Sequence, residues 1–490
     1  MDKPASSVPG HLAAKPVLYY TSRMNPLRPL RSAFGPLSFY REVLAIAVPV
    51  MLQQALQSLV SLVDNFMVSG LGDASMAAVN VANQVNFVYF IVMNTLSAAG
   101  GIYLSQYRGA GDPEGMQQAF RFKVVMTLGL SGAYMVLCQL CPQALIAVMT
   151  MGNSAQAEIV RGGADYLRTV SYLFLPLGLS QAIGSAYRET GRPLVPLVIS
   201  VGATLLNTFL NWVFIYGNLG APRMEIQGAA LATDIARGVE LLAFVLYVRA
   251  DRPDFFVPLR RILKARWSLF REILAKSGFM ALSETTWVVS ETLLTALYNG
   301  RGGADVVAGM GAGWAVANVF FLVFSGIHAS TGVIVGGLLG GDRIQEARVK
   351  ARWMMGGSVV AGSVLGLVQL ACMAAVPLVF ANLTPSALGV TRGLLVVISC
   401  YLPLWSLLNA QFALSRAGGD MMMGIVADVG VTWILFIPAA LSLAFLTGLG
   451  PVAMFAIVKS TDVAKYLACR WWLSRERWVV NLAKTQAPRT

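Results

Sequence analysis

The apolar positions of this chain come in long blocks separated by short polar or glycine-rich stretches. Twelve blocks read as membrane-crossing helices: 42–69, 76–106, 117–148, 156–187, 193–216, 227–249, 271–298, 304–338, 345–380, 386–415, 420–446 and 450–473. A helix needs ~20 apolar residues to cross the hydrocarbon core. Several blocks are longer than that, which predicts helices that tilt, bend or protrude. The blocks also repeat. VSGLGDASMAAV around residue 70 returns as YNGRGGADVVAG near 300, and QYRGAGDPEG near 106 returns as GGLLGGDRIQ near 336. Gly70 pairs with Gly300, and Gly111 and Asp112 pair with Gly341 and Asp342, at a step of 230. Later in each half the step is 228, and Arg188 to Gly191 (RETG) pairs with Arg416 to Gly419 (RAGG). Duplication of a helical unit is a common plan of secondary transporters, with the substrate site between the halves.

Composition supports the membrane reading. The 490 residues are 56% hydrophobic and only 12% charged, against about 25% charged in soluble domains. The net charge of +13 would suit nucleic acid, but its distribution points elsewhere. With the N-terminus inside, cytoplasmic segments hold about 29 of the 37 Lys and Arg residues. The stretch after the sixth block alone carries Arg249, Arg252, Arg260, Arg261, Lys264, Arg266, Arg271 and Lys276. The opposite side holds Arg161, Arg223, Arg301 and Arg392. This is a positive-inside bias, and no nucleic-acid partner is expected. Six crossings per half return the chain to the same side. The expected fold is therefore an all-α polytopic membrane protein. Its twelve transmembrane helices form two six-helix bundles related by a pseudo-twofold axis along the membrane normal. The expected divisions are a cytoplasmic tail over 1–41, a bundle over 42–249, a basic linker over 250–270, a second bundle over 271–474 and a cytoplasmic tail over 475–490. Both tails read as disordered. The first lacks the compact apolar core of a cleaved signal peptide.

Candidate chemistry is sparse. Cys138 and Cys141 have redox or zinc spacing but lie at the end of an apolar block without a second pair, so they read as ordinary helix cysteines. Two histidines cannot make a histidine-rich metal site, and no GxxxxGK[ST] phosphate loop is present. No cofactor is expected. An integral-membrane enzyme would need nucleophiles or metal ligands clustered at one membrane face, and none stand out. Secondary transport driven by an ion gradient is the leading class.

An ionisable group at membrane depth costs at least ~2.5–3.5 kcal/mol on insertion scales, so each one asks for a reason. Gln53, Gln57, Ser61 and Asp64 share one face of the first block, and Asp64 reads as a proton- or cation-binding carboxylate, or else as a structural one bonded to a neighbouring helix. Glu284, Trp287, Glu291 and Thr295 share a face of the seventh. A carboxylate beside an indole suits an organic cation. Asn83 in the second block and Asn207 and Asn211 in the fifth are further polar positions, for which interhelical hydrogen bonding is the plainer account. Asp428, Trp314 and Trp405 are candidate lining residues. Asp234, Arg237 and Glu240 are expected to pair along the sixth helix. The GAGDPE and GGDRIQEA loops read as turns with aspartate caps on the following helices.

At these residues the chain resembles the multidrug and toxic compound extrusion (MATE) family. The resemblance covers about residues 42–475 and rests on VDNFMVSGLGDASMAAVNVANQV, QYRGAGDPE, LLNTFLNWVFIYG with IQGAALATDIA, and SRAGGD, in that order. It implies a V-shaped pair of six-helix bundles around a central cavity. It also implies export of organic cations or other toxic compounds in exchange for H+ or Na+. Asp64 matches the family's first-span carboxylate, Asn207 and Asn211 its fifth-span asparagines, and Glu284 with Trp287 a seventh-span glutamate seen in part of the family. The tenth block, YLPLWSLLNAQFALSRAGG, lacks the acidic residue some members carry there. The expected ion-coupling residues are Asp64, Asn207 and Asn211; the expected substrate-binding residues are Glu284, Trp287, Glu291, Gln57 and Asn83. The expected protein is a monomer in the cell's inner (plasma) membrane with both termini cytoplasmic, taking small cationic amphiphiles. A flippase for lipid-linked sugars is the alternative, although such a protein needs a cationic cavity for diphosphate.

Overall fold

The computed structural model describes residues 33–69, 73–150 and 156–485. Among these every regular element is helical and none is a strand. In chain order they are α1 (Leu37–Ser69), α2 (Asp73–Ala110), α3 (Pro113–Leu140), α4 (Pro142–Met149), α5 (Gln156–Val170), α6 (Phe174–Glu189), α7 (Leu194–Tyr216) and α8 (Glu225–Asp251). The second half continues with α9 (Trp267–Asn299), α10 (Ala304–Gly340), α11 (Ile344–Cys372) and α12 (Pro385–Ala417). After π-helical turns at Ile425–Gly430 and Thr432–Phe436 come α13 (Ile437–Leu446), α14 (Pro451–Lys459), α15 (Asp462–Ser474) and α16 (Leu482–Thr485).

Eight helical stretches are long and apolar enough to cross a membrane. The four other apolar blocks are also helical, but two are broken and two carry charge. The block at 156–187 is interrupted by a 3-10 turn at Ser171–Leu173. Pro176 lies just beyond it and has no N–H to offer the carbonyl of Tyr172. The last block is broken at Ser460 and Thr461. Helix α8 carries Asp234, Arg237 and Glu240, and α9 carries Glu272, Lys276, Glu284 and Glu291. The third block ends early for the same backbone reason as the fourth: Pro142 starts α4 as a separate helix.

The turns test the repeat. Gly191 (φ 75°) and Gly419 (φ 76°) are both left-handed. Their N–H groups donate to Arg188 (2.9 Å) and Arg416 (2.8 Å), so the step of 228 is also a structural equivalence. The earlier loops differ from expectation by one residue. The left-handed positions are Gly111 (φ 66°) and Asp342 (φ 61°). Their N–H groups donate to Arg108 and Leu339, so the structural step there is 231 and not 230. Asp112 caps α3 by accepting the Gly115 N–H at 2.9 Å, as expected. Asp342 does not cap α11; Arg343 occupies that position, and Asp342 faces Lys484 at 2.6 Å.

Within the first half α2 packs on α3, α3 on α6, α1 on α7 and α7 on α8. Within the second α10 and α11 both pack on α12. The halves meet through α1 on α10, α2 on α9 and α2 on α10. The hydrogen bonds and ion pairs that join them lie at the end bearing the Gly111 and Asp342 turns. Tyr40 OH donates to the Trp353 carbonyl (3.3 Å), Tyr103 OH to Glu272 (2.6 Å), and Lys350 faces Glu42 (3.6 Å). There α2 and α10 cross so closely that a side chain on Gly109 would strike the Gly337 backbone, and one on Gly340 the Gln106 backbone.

The expectation of a disordered C-terminal tail is corrected for residues up to 485. Trp478 and Leu482 are buried. Gln106 donates to the Val480 carbonyl (3.2 Å) and accepts the Leu482 N–H (2.8 Å). Residues 1–32 of the expected N-terminal tail lie outside the described residues.

Candidate ion and substrate sites

In the first half, four helices share a chain of polar side chains. Arg188 on α6 donates to Gln53 on α1 (3.1 Å), and Gln53 donates to Ser200 on α7 (3.0 Å). Ser200 donates to Glu240 on α8 (2.9 Å), which pairs with Arg237 (2.7 Å). Each buried polar atom in this chain gains a partner, which is what makes burying it tolerable. The expected pairing along α8 holds for Arg237 and Glu240. Asp234 is not part of it: its Oδ1 is buried without a hydrogen-bond partner.

Asn207 and Asn211 come together as their spacing implied. Asn211 donates to Asn207 (3.4 Å), and Asn207 donates to Thr233 on α8 (3.2 Å). Both amides are buried. Gln57 and Asn83 are exposed. Asp64 lies on α1, but its side chain is outside the described residues.

In the second half each acidic candidate meets a cation. Glu284 pairs with Arg416 at 2.7 Å. Arg416 is the repeat partner of Arg188, and each arginine reaches a polar side chain on the first helix of its own half. His328 on α10 hydrogen-bonds Asn409 beside this pair (3.0 Å). A small cavity here is lined by Met280, Ser283, Arg416 and Asp420. Glu291 pairs with Lys459, whose ammonium stands 5.3–5.6 Å from the ring centres of Phe436, Phe455 and Trp405. Asp428 accepts from Ser283 (2.8 Å) and faces Lys465 (3.4 Å). Trp405 is a hydrogen-bond donor to Asp462 (2.8 Å), and Trp314 to Tyr298 (2.9 Å). Trp287 is 49% exposed on α9. Among the described residues no group of acidic, histidine and cysteine side chains is disposed to hold a metal ion.

Sequence reasoning took the acids one at a time and missed Arg416, Lys459, Asp462 and Lys465. The spacing of Lys459, Asp462 and Lys465, three apart in turn, was the available signal. Which acids they meet is set by packing between helices far apart in sequence.

These features describe an all-helical chain with eight stretches long and apolar enough to cross a membrane, recurring loops, and buried ionisable groups among the described residues. Residues 49–213 match the MatE family model. A probable multidrug resistance protein NorM of Bradyrhizobium diazoefficiens is 29% identical, over 84% of this chain and 88% of that one. A probable multidrug resistance protein NorM of Thermotoga maritima is 24% identical, over 60% of this chain and 62% of that one. In fold, the Vibrio cholerae MATE transporter VcmN is similar with a TM-score of 0.80 at 19% identity, over 92% of this chain and 99% of that one. A multidrug resistance MATE transporter solved in an outward-facing conformation is similar with a TM-score of 0.78 at 19% identity, over 92% and 98%. The chain is thus similar in sequence to multidrug resistance proteins and in fold to MATE transporters over most of its length.

Proposed function

We propose that this protein is a secondary active efflux transporter that exports organic cations or other xenobiotics in exchange for H+ or Na+ by alternating access. The observation that carries the reading is that, among the described residues, the hydrogen bonds and ion pairs between the halves lie at one end, beside helix contacts that a pseudo-twofold axis would exchange. The axis would swap α1 with α9 and α2 with α10. It turns the α1–α10 contact into the α9–α2 contact and maps the α2–α10 crossing onto itself. Two rigid halves hinged in this way are the machinery of alternating access. The architecture we assign is twelve spans in two six-helix bundles. In it α5 with α6, α8, α9, and α14 with α15 supply the four spans beyond the eight apolar ones. With the arginine-rich loops inside, both termini are cytoplasmic, the protein sits in the inner membrane, and the joined end faces the cytoplasm. The structure is then the outward-open form.

Asp64 with Asn207 and Asn211 is the proposed coupling site of the first half. The relatives are multidrug resistance proteins, and nothing among them favours a lipid-linked-sugar flippase. The test is dye efflux from proteoliposomes under a Na+ or an H+ gradient, imposed one at a time. Uphill movement of a cationic dye under one of them is the expected result; movement of dye down its own gradient alone would refute ion coupling.

A further inference from the structure

The basic stretch between the halves is docked on α3. Phe255 and Val257 are buried, and the Phe255 ring lies 5.1 Å from that of Phe120. Gln117 donates to the Asp254 carbonyl (3.4 Å), and Gln118 accepts the Arg266 N–H (2.9 Å). The Arg266 guanidinium pairs with Glu114. Glu114, Gln118 and Arg121 are spaced four and three apart, so they share one face of α3. Arg121 is thus the next residue along the face that receives the linker. It is only 7% exposed. Among the described residues it forms no ion pair, and its Nε is buried without a hydrogen-bond partner. The charges that act on it are those of Glu114, Arg261 and Arg266. Arg266 takes the one carboxylate, which leaves Arg121 and Arg261 without a counter-ion among the described residues. Other acids at this end are also committed. Asp112 caps α3, Asp251 pairs with Arg192 (2.6 Å), and Glu272 pairs with Lys276 (3.1 Å). A buried guanidinium without a partner is costly and calls for an anion from outside the chain. The surroundings indicate which anion. Leu263 and Trp267 are 84% and 64% exposed, beside Arg261 and Arg266 in the chain. Uncovered apolar side chains next to cations suit the boundary of a bilayer. A lipid supplies acyl chain and phosphate together, whereas a soluble anion would cover the cations alone.

We propose that Arg121 and Arg261, beside the Arg266–Glu114 pair, bind the phosphate of an anionic phospholipid whose acyl chains lie against Leu263 and Trp267. A guanidinium presents its N–H groups in a fork that matches phosphate oxygens. Two guanidiniums in excess favour a headgroup of net negative charge. A zwitterionic headgroup brings an ammonium that they repel. The bound lipid sits between α3 of the first half and the linker that leads into α9 of the second. The inference is independent of what the protein transports. It needs only that this end of the helices meets a bilayer.

The test uses the full chain, delipidated in detergent. Dioleoylphosphatidylglycerol and dioleoylphosphatidylethanolamine are titrated separately, and the lipids bound per chain are counted by native mass spectrometry. The wild type should take up one phosphatidylglycerol ahead of all others, roughly tenfold or more tighter than phosphatidylethanolamine. Arg121→Gln and Arg261→Gln should each lose that preference, because each removes one charge-assisted contact. Arg261 is exposed, so its variant tests the site without disturbing a buried position. Arg249→Gln removes another exposed arginine at the same end and should bind as the wild type does. Equal affinity of the wild type for the two lipids overturns the proposal, as does an unchanged preference in Arg261→Gln. A loss in Arg249→Gln as large as that in Arg261→Gln means diffuse attraction to a basic surface, and overturns it too. Inorganic phosphate is then added to the phosphatidylglycerol complex. Retention of the lipid at equal concentration is expected; its displacement assigns the site to a soluble anion and overturns the lipid.

Discussion

The buried pair of Lys123 and Glu189 shows what a single charge does in this protein. The Lys123 side chain is fully buried and its ammonium lies 2.5 Å from Glu189. Gly100 and Gly101 on α2 leave room for the pair, since a side chain on either would collide with Lys123 or Glu189. Removing one partner of such a pair leaves the other charge buried alone, typically at ~3–5 kcal/mol. Lys123→Met is therefore expected to lower the thermal unfolding midpoint of the purified protein sharply. Adding Glu189→Gln should recover most of the loss; a double variant as unstable as the single one would show that packing and not charge was at stake. Asp64→Asn is expected to behave differently, abolishing gradient-driven efflux while leaving insertion and stability near wild type. Full gradient-driven efflux in that variant would discard its coupling role. The contrast marks what sequence could show at this scale. Asn207 and Asn211 meet because they are one helical turn apart, a relation that sequence states directly. Glu284 and Arg416, or Glu291 and Lys459, are paired across more than a hundred residues, and no local pattern encodes that.

At the scale of the element, hydrophobic blocks specified where helices run but not where they break. Blocks at 156–187 and 450–473 look continuous because a 3-10 turn or a two-residue joint changes no apolar count. Pro176 was the visible cue for the first break; Ser460 and Thr461 offer none as plain. The Gly111 and Asp342 turns were aligned one residue out of structural register because matching Gly-Asp letters outweighed backbone geometry. The crossing of α2 and α10 is the element on which the conformation depends. Gly109 and Gly340 there have no room for even a methyl group. Gly340→Ala is expected to push the two helices apart and disfavour the joined form, which is outward-open in the orientation proposed above. Alkylation of a single cysteine introduced at Ser105, which faces Gly336 across the crossing, reports this from the joined end. Faster labelling in Gly340→Ala than in the parent cysteine chain is expected, and equal rates would mean that the crossing does not hold the halves together.

For the whole molecule, the C-terminal segment bears on the same balance. It lies across the joined end and touches both halves. Val480 and Leu482 bond Gln106 of the first half, while Asn481 donates to the Gly340 carbonyl (3.0 Å), Glu476 pairs with Arg348 (2.5 Å), and Lys484 with Asp342 (2.6 Å) in the second. Opening toward the cytoplasm requires α2 and α10 to separate, and the segment bonded to both would have to release at least one of them. Its ion pairs are exposed, and exposed pairs are weak and screened by salt. The hydrogen bond from Lys484, outside the spans, holds the Asp342 carboxyl below its usual range. A lowered carboxyl contributes docking free energy above its ordinary value of 3.8, and that contribution is lost only as pH falls through the lowered one. A pH near neutral therefore leaves this contact intact, and salt is the more effective way to loosen it. Deleting residues 476–490 is expected to shift the population toward the form open at this end, the cytoplasm-open form in the proposed orientation. The readout is again labelling of a cysteine at Ser105, now with and without high salt. The full chain should label faster as salt rises, and the truncated chain should label fast at every salt concentration. If truncation leaves the rate at its low-salt, full-length value, the segment is a passenger on the joined end and the α2–α10 crossing alone sets the balance between the two states.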